Sequence, residues 1–184
     1  MSRLNPVELT NAEGKAKELL TGVKQAMGAT PNIFTTMANA PAALDGYLKL
    51  NGALSAGSLS SRLREQIALT VAGLNGCNYC ASAHTYLGER TGLNAEELER
   101  NMRGQSEDIK TQAALVFAAK LVETRGRVIE GDLAAVLKAG FSREDAIEIV
   151  AHVALNVFTN YFNETFKTEV DFPHVSTESV RKAG

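Results

Sequence analysis

The sequence predicts an all-α fold, a compact multi-helix domain, and three observations lead there. The 184 residues are rich in Ala, Leu, Glu and Lys, which are good helix formers. No run of alternating Val, Ile or Thr bounded by hairpin turns breaks them up. Capping residues and Gly or Pro breakers divide the chain into segments of helical length.

The elements follow in order. Thr10 with Glu13 forms a capping-box pattern, and Gly28 marks the stop of a first helix. Pro31 and Pro41 bracket Asn32–Asn39, one or two helical turns. Ala42–Leu54 reads as the next helix and ends near Gly57. Ser60 or Ser61 caps Arg62–Leu74, which Asn75-Gly76 stops. A helix from about Cys77 to Arg90 ends at Gly92, and Asn94 with Glu97 caps another that stops near Gly104. Ile109–Thr124, Asp132–Lys138 and Arg143–Phe166 follow, the last capped by Ser142. The tail from Asp171 onward is polar and is expected to fray.

No biased linker marks a boundary, so 1–184 is expected to be a single domain. Hydrophobic residues at 45% and charged residues at 22% argue for a packed core. Nineteen basic residues against twenty-one acidic ones leave a net charge of −2, which disfavours nucleic acid as a partner. Met1–Thr10 has no apolar signal segment, and no uncharged stretch offers ~20 consecutive apolar residues for a membrane helix. Two cysteines are too few for a secreted disulfide scaffold. These features lead us to expect a cytoplasmic protein with reduced thiols and no membrane partner.

Both cysteines lie in one Cys77-Asn78-Tyr79-Cys80 unit. Three residues apart on a helix, their Cβ atoms are about 5–6 Å from each other, close to disulfide range. The Asn75-Gly76 break places the pair in the first turn of a helix, where unpaired N–H groups and the helix dipole favour a thiolate. His84 follows on the same stripe and reaches toward Cys80. The dipole favours Cys77 as nucleophile, and the nearby base favours Cys80. A metal site is an alternative, with Cys77, Cys80 and His84 as ligands and Glu65 or His152 as a fourth; the second Cys or His pair of a finger is absent. Two buried small hydrophobes are the bland alternative. Thioredoxin-like architecture is disfavoured because strands are missing.

Glu65 stands twelve residues before Cys77. The constellation Glu65-x11-Cys77-x2-Cys80-x3-His84 closely resembles the signature of the alkylhydroperoxidase AhpD family, within the carboxymuconolactone decarboxylase-like superfamily. Arg64-Glu65-Gln66-Ile67-Ala68-Leu69, Met27-Gly28 with Pro31-Asn32, Ala40-Pro41 with Leu44, Asn160 with Asn163, and Glu169–Pro173 add to the likeness to peroxidase-related members. Its core spans about 45–130, and its most specific part is 62–92. The resemblance implies an all-helical fold assembled as homotrimers or homohexamers. It implies thiol peroxidase chemistry without a cofactor or metal. In that pattern Cys80 attacks the peroxide, Cys77 closes a disulfide, and Glu65 and His84 relay the proton. A thiol reductant, a dihydrolipoyl or thioredoxin-like protein, then reopens the disulfide. A disulfide oxidoreductase or redox sensor without efficient peroxide turnover would use the same pair. Tyr79 stands where the founding AhpD proteins carry a histidine.

His152, Asn156, Asn160 and Asn163 share one face of the last long helix. Tyr79, His152 and Asn156 are candidates for a wall around the reactive pair. His174 is expected in solvent, Met27, Phe34, Met37 and Leu44 in a core or interface, and Glu96, Glu97, Glu99 and Arg100 on a solvated face.

Overall fold

A computed structural model describes residues 2–178. Among the described residues nine helices form and no strand does: α1 (Gly14–Met27), α2 (Asn32–Met37), α3 (Pro41–Ser55), α4 (Ser61–Asn75), α5 (Asn78–Arg90), α6 (Ala95–Met102), α7 (Ile109–Thr124), α8 (Glu130–Lys138) and α9 (Arg143–Phe166). The all-α expectation holds, with the Cys-x-x-Cys at a helix start.

The core is organised by α4. Its uncharged stretch Gln66–Gly73 is buried throughout, as a helix apolar on every side must be. Leu63, Ile67 and Val71, one turn apart, meet α7, α8 and α9 through Leu115, Val136 and Ile149. Leu69 and Ala72 face the other way, toward Leu20, Met37, Leu44 and the cysteines. One helix thus carries two apolar clusters on opposite sides. Gly73 lets α6 approach, because a Cβ there would collide with the Met102 carbonyl oxygen.

Some ends differ from the sequence expectation. The first helix does not start at Thr10: Gly14 has φ +52°, a left-handed conformation that halts extension backwards, and Glu13 caps without a side-chain bond. Pro41 opens α3 at its first helical position, where the missing N–H costs nothing. Helix α8 begins two residues before Asp132, whose carboxylate accepts the Ile129 N–H at 3.0 Å. The Ser60, Asn94 and Ser142 caps form as expected, each accepting a backbone N–H three residues on.

The tail is docked rather than frayed up to residue 178; the last six residues of that expectation lie outside the described part. Val175 N–H donates to Ser82 Oγ at 2.9 Å, and Thr177 donates to Asn78 Oδ1 through N at 3.0 Å and Oγ1 at 2.8 Å. Phe172 lies edge-on to Tyr79, with ring centroids 5.8 Å apart. The tail is therefore held by the helix that carries the cysteines.

Candidate active site

Gly76 adopts φ +68°, and the Cys77 N–H closes back on Ala72 O at 3.0 Å. This left-handed turn ends α4 and starts α5 at once. Cys77 becomes the N-cap: its Sγ accepts the Cys80 N–H at 3.2 Å. Cys77 and Cys80 form a disulfide, with Cα atoms 5.3 Å apart.

The two sulfurs have unequal surroundings. Cys77 is fully buried. Cys80 lines a cavity of about 220 Å³, and Cys77 does not. Asn163 on α9 donates Nδ2–H to Cys80 Sγ at 3.3 Å.

Glu65 and His84 line the same cavity. His84 Nδ1 lies 2.7 Å from Glu65 Oε2, with both side chains about one-fifth exposed. A carboxylate only accepts, so Nδ1 carries the shared proton and Nε2 is left as the basic nitrogen. The spacing thus brings Glu65, Cys80 and His84 around one space.

Tyr79, His152 and Asn156 also line the cavity. Tyr79 accepts the Ile33 N–H at 3.2 Å. Burial, then the Asp171 charge, push its phenol far above the ordinary value, so it stays protonated. Burial, then the Glu65 charge, raise the Tyr47 phenol to about 12. His152 is buried, and burial followed by the Arg64 charge lowers its imidazole below the ordinary value, against Glu148, Glu65 and the Leu54 carbonyl. It is neutral at neutral pH, and its Nε2 has no partner among the described residues. Asn156 donates Nδ2–H to the His152 carbonyl at 2.9 Å.

Three sequence readings need correction. Met27 is 46% exposed and borders the cavity instead of filling core, and Phe34, though buried, lines the cavity as well. Glu97 is buried, since α6 turns it toward Gln66, Asn101 and Ser106. The contact from Asn163 to sulfur was not singled out; its place on the polar face with His152 was the available signal. His174 is exposed, as expected. Among the described residues, no group of three or more His, Cys, Asp or Glu is placed to hold a metal ion.

Residues 41–124 match the model of the carboxymuconolactone decarboxylase family. The chain superposes on a crystal structure of an alkylhydroperoxidase AhpD core, an uncharacterized peroxidase-related protein from Ralstonia eutropha JMP134, with TM-score 0.84 and 25% identity over 92% of each chain. The fold is AhpD-like, and residues 41–124 are similar to the carboxymuconolactone decarboxylase family. An uncharacterized peroxidase-related protein from Silicibacter sp. TM1040 has the same fold, with TM-score 0.79 and 22% identity over 91% of each chain. So does the debrominase Bmp8 in complex with 2,3,4-tribromopyrrole, with TM-score 0.77 and 21% identity over 100% of this chain and 99% of that one. No curated protein matches the chain. The fold and the cysteine pair at disulfide distance fit a redox role. No helix among the described residues is long and apolar enough to cross a membrane.

Proposed function

We propose that this AhpD-like protein is a thiol-dependent hydroperoxidase. The observation that carries the reading is the asymmetry of the pair: Cys80 lines a cavity shared with Glu65 and His84, and Cys77 is sealed behind it. His84 Nε2 takes the Cys80 proton, and Glu65 steadies the imidazolium. The thiolate attacks the outer oxygen of the hydroperoxide. An S–O bond forms, the O–O bond breaks, and the departing alkoxide takes the proton from His84 to leave as alcohol. Cys77 then attacks Cys80 Sγ, forming S–S and releasing the hydroxyl, which leaves as water with the Cys77 proton. Two thiols and one hydroperoxide thus give one disulfide, one alcohol and one water.

Turnover needs a dithiol that opens the disulfide by exchange, a dihydrolipoyl or thioredoxin-like protein. A reducing compartment, the cytoplasm, suits that cycle. Ile147, Val150, Phe158 and Tyr161 form an exposed apolar line along α9, which supports assembly into a homotrimer or homohexamer.

A second reading rests on the cavity walls. Phe34, Tyr47, Leu155 and Phe172 surround about 220 Å³, more than the ~150 Å³ apolar hole that admits benzene. A brominated ring fits such a space, and the debrominase relative has the same fold. There, two thiols and one aryl bromide would give a disulfide, the arene and hydrogen bromide.

Stopped-flow oxidation of fully reduced protein separates these readings. The substrates are hydrogen peroxide, tert-butyl hydroperoxide and tribromopyrrole, with free thiols counted afterwards. Fast loss of two thiols per chain with a hydroperoxide, absent in Cys80→Ser, is the expected result. Fast loss only with the bromopyrrole transfers the site to dehalogenation. Peroxide oxidation at the rate of an ordinary thiol leaves a redox sensor or disulfide-exchange protein.

A further inference from the structure

One side chain touches the reacting sulfur and lies outside the four-residue motif. Asn163 is 3% exposed, sits on α9, and donates Nδ2–H to Cys80 Sγ at 3.3 Å. Its Oδ1 is buried and has no hydrogen-bond partner among the described residues. The side chain lines the cavity, so the vacant acceptor stands next to the space a substrate would fill, without exposed surface of its own. Buried polar atoms left unpaired are uncommon, and at a cavity they point to a ligand. Asn160, nearly one turn earlier, does not line the cavity: its Oδ1 accepts from Asn75 Nδ2 at 3.0 Å, which ties α9 to the end of α4, and its buried Nδ2 has no partner among the described residues.

We propose that Asn163 is a catalytic residue with two tasks: its N–H stabilises the Cys80 thiolate, and its Oδ1 accepts the O–H of the incoming hydroperoxide. The second task rests on the peroxidase reading above; the first does not. A thiolate accepts hydrogen bonds better than a thiol, so the contact strengthens when the proton leaves. The amide carries its donor and acceptor on one carbon. With N–H on sulfur, the oxygen is held close to that sulfur. A hydroperoxide that donates its O–H there offers the oxygen bearing that hydrogen to Sγ, the atom that must be attacked. The hydrogen stays on this oxygen and becomes the sulfenic acid hydrogen. The amide positions the peroxide and neither gains nor loses a proton. A dialkyl peroxide lacks the O–H and gains nothing from Oδ1.

The other titratable and charged groups around Cys80 come from each packed element. They are Tyr47 on α3, Arg64 and Glu65 on α4, Cys77 at the N-cap of α5, Tyr79 and His84 on α5, and His152 on α9, with Asp171 of the tail beside Tyr79.

The test uses reduced protein in a Cys77→Ser background, where serine keeps the N-cap. Alkylation of Cys80 by iodoacetamide is followed against pH. Asn163→Ala is expected to raise the midpoint by about one pH unit, and Asn163→Asp by more, through its added negative charge. Asn160→Ala is expected to leave it unchanged. Asn163→Ser, which keeps a short donor, serves if the alanine variant does not fold, with an intermediate shift expected. Unmoved midpoints in the position-163 variants, or an equal shift in Asn160→Ala, would overturn the thiolate contact. The oxidation rate with tert-butyl hydroperoxide is then compared well above every midpoint, where thiolate is complete. A residual loss of about tenfold in Asn163→Ala reads the oxygen's task. Equal rates there would overturn that half alone. If the unsubstituted protein does not react faster than a free thiol, the peroxidase reading fails while the alkylation profile still decides the first half.

Discussion

Two glutamates, Glu97 and Glu65, sit in the interior of the same helical fold and are treated in opposite ways. Glu97 on α6 is 5% exposed and accepts four hydrogen bonds. Gln66 Nε2, Asn101 Nδ2 and Ser106 Oγ donate to its Oε1 at 3.1, 2.9 and 2.5 Å, and Glu107 N–H donates to Oε2 at 3.2 Å. These bonds join α4, α6 and the loop before α7. Glu65 on α4 has His84 at 2.7 Å and borders a cavity. A carboxylate gripped by four donors from three parts of the chain fixes structure. One with a single imidazole partner and open space beside it remains free to respond when that imidazole gains a proton.

The largest test of this contrast is Glu97→Ala. Removing the acceptor strands several buried donors, so stability should fall by about 3 kcal/mol, measured by urea unfolding. The oxidation rate per folded molecule should stay unchanged. A lost rate with intact stability would reverse the roles of the two regions.

Glu65→Gln should do the opposite. The peroxide rate is expected to drop by about 100-fold, roughly 2.7 kcal/mol of barrier. Stability should change by less than about 1 kcal/mol, because the side chain is partly exposed. A wild-type rate would return Glu65 to a purely structural role.

The smallest effect is a pH dependence. Burial acts to raise the Glu97 carboxyl, but donation from Ser106, Asn101 and the Glu107 backbone outweighs it and holds the group below its ordinary value of 4.5. A group lowered in the folded state binds protons more readily when unfolded. Its contribution is therefore complete above about pH 4.5 and is lost as the pH falls through the lowered folded value. The urea midpoints of wild type and Glu97→Gln should thus converge as the pH drops from 6 to 3. A constant gap would place the stabilisation elsewhere.

Much of this was legible in the sequence, for local reasons. Ser60, Gly76, Asn94 and Ser142 act on backbone groups within a few residues, so the helix ends they set can be read from neighbours. The alignment of Cys77, Cys80 and His84 follows from helical periodicity, and the resemblance supplied Glu65. What escaped depends on partners far along the chain. Glu97 looks like any surface glutamate beside Glu96 and Glu99 until Gln66 and Ser106 arrive. Asn163 is separated from Cys80 by 83 residues, and its spacing shows a polar face but not what that face meets. The docking of the tail is illegible for the same reason: Asn78 and Ser82, which hold it, carry no local mark that sets them apart on the cysteine helix.

The most direct measurement is to trap the sulfenic acid. Reduced Cys77→Ser and Cys80→Ser proteins are each mixed with one equivalent of tert-butyl hydroperoxide, then with dimedone, and the adduct is mapped by mass spectrometry. The account predicts rapid labelling of Cys80 in the first protein and none of Cys77 in the second. Rapid labelling of Cys77, with Cys80 silent, would contradict it and assign the attack to the sealed sulfur.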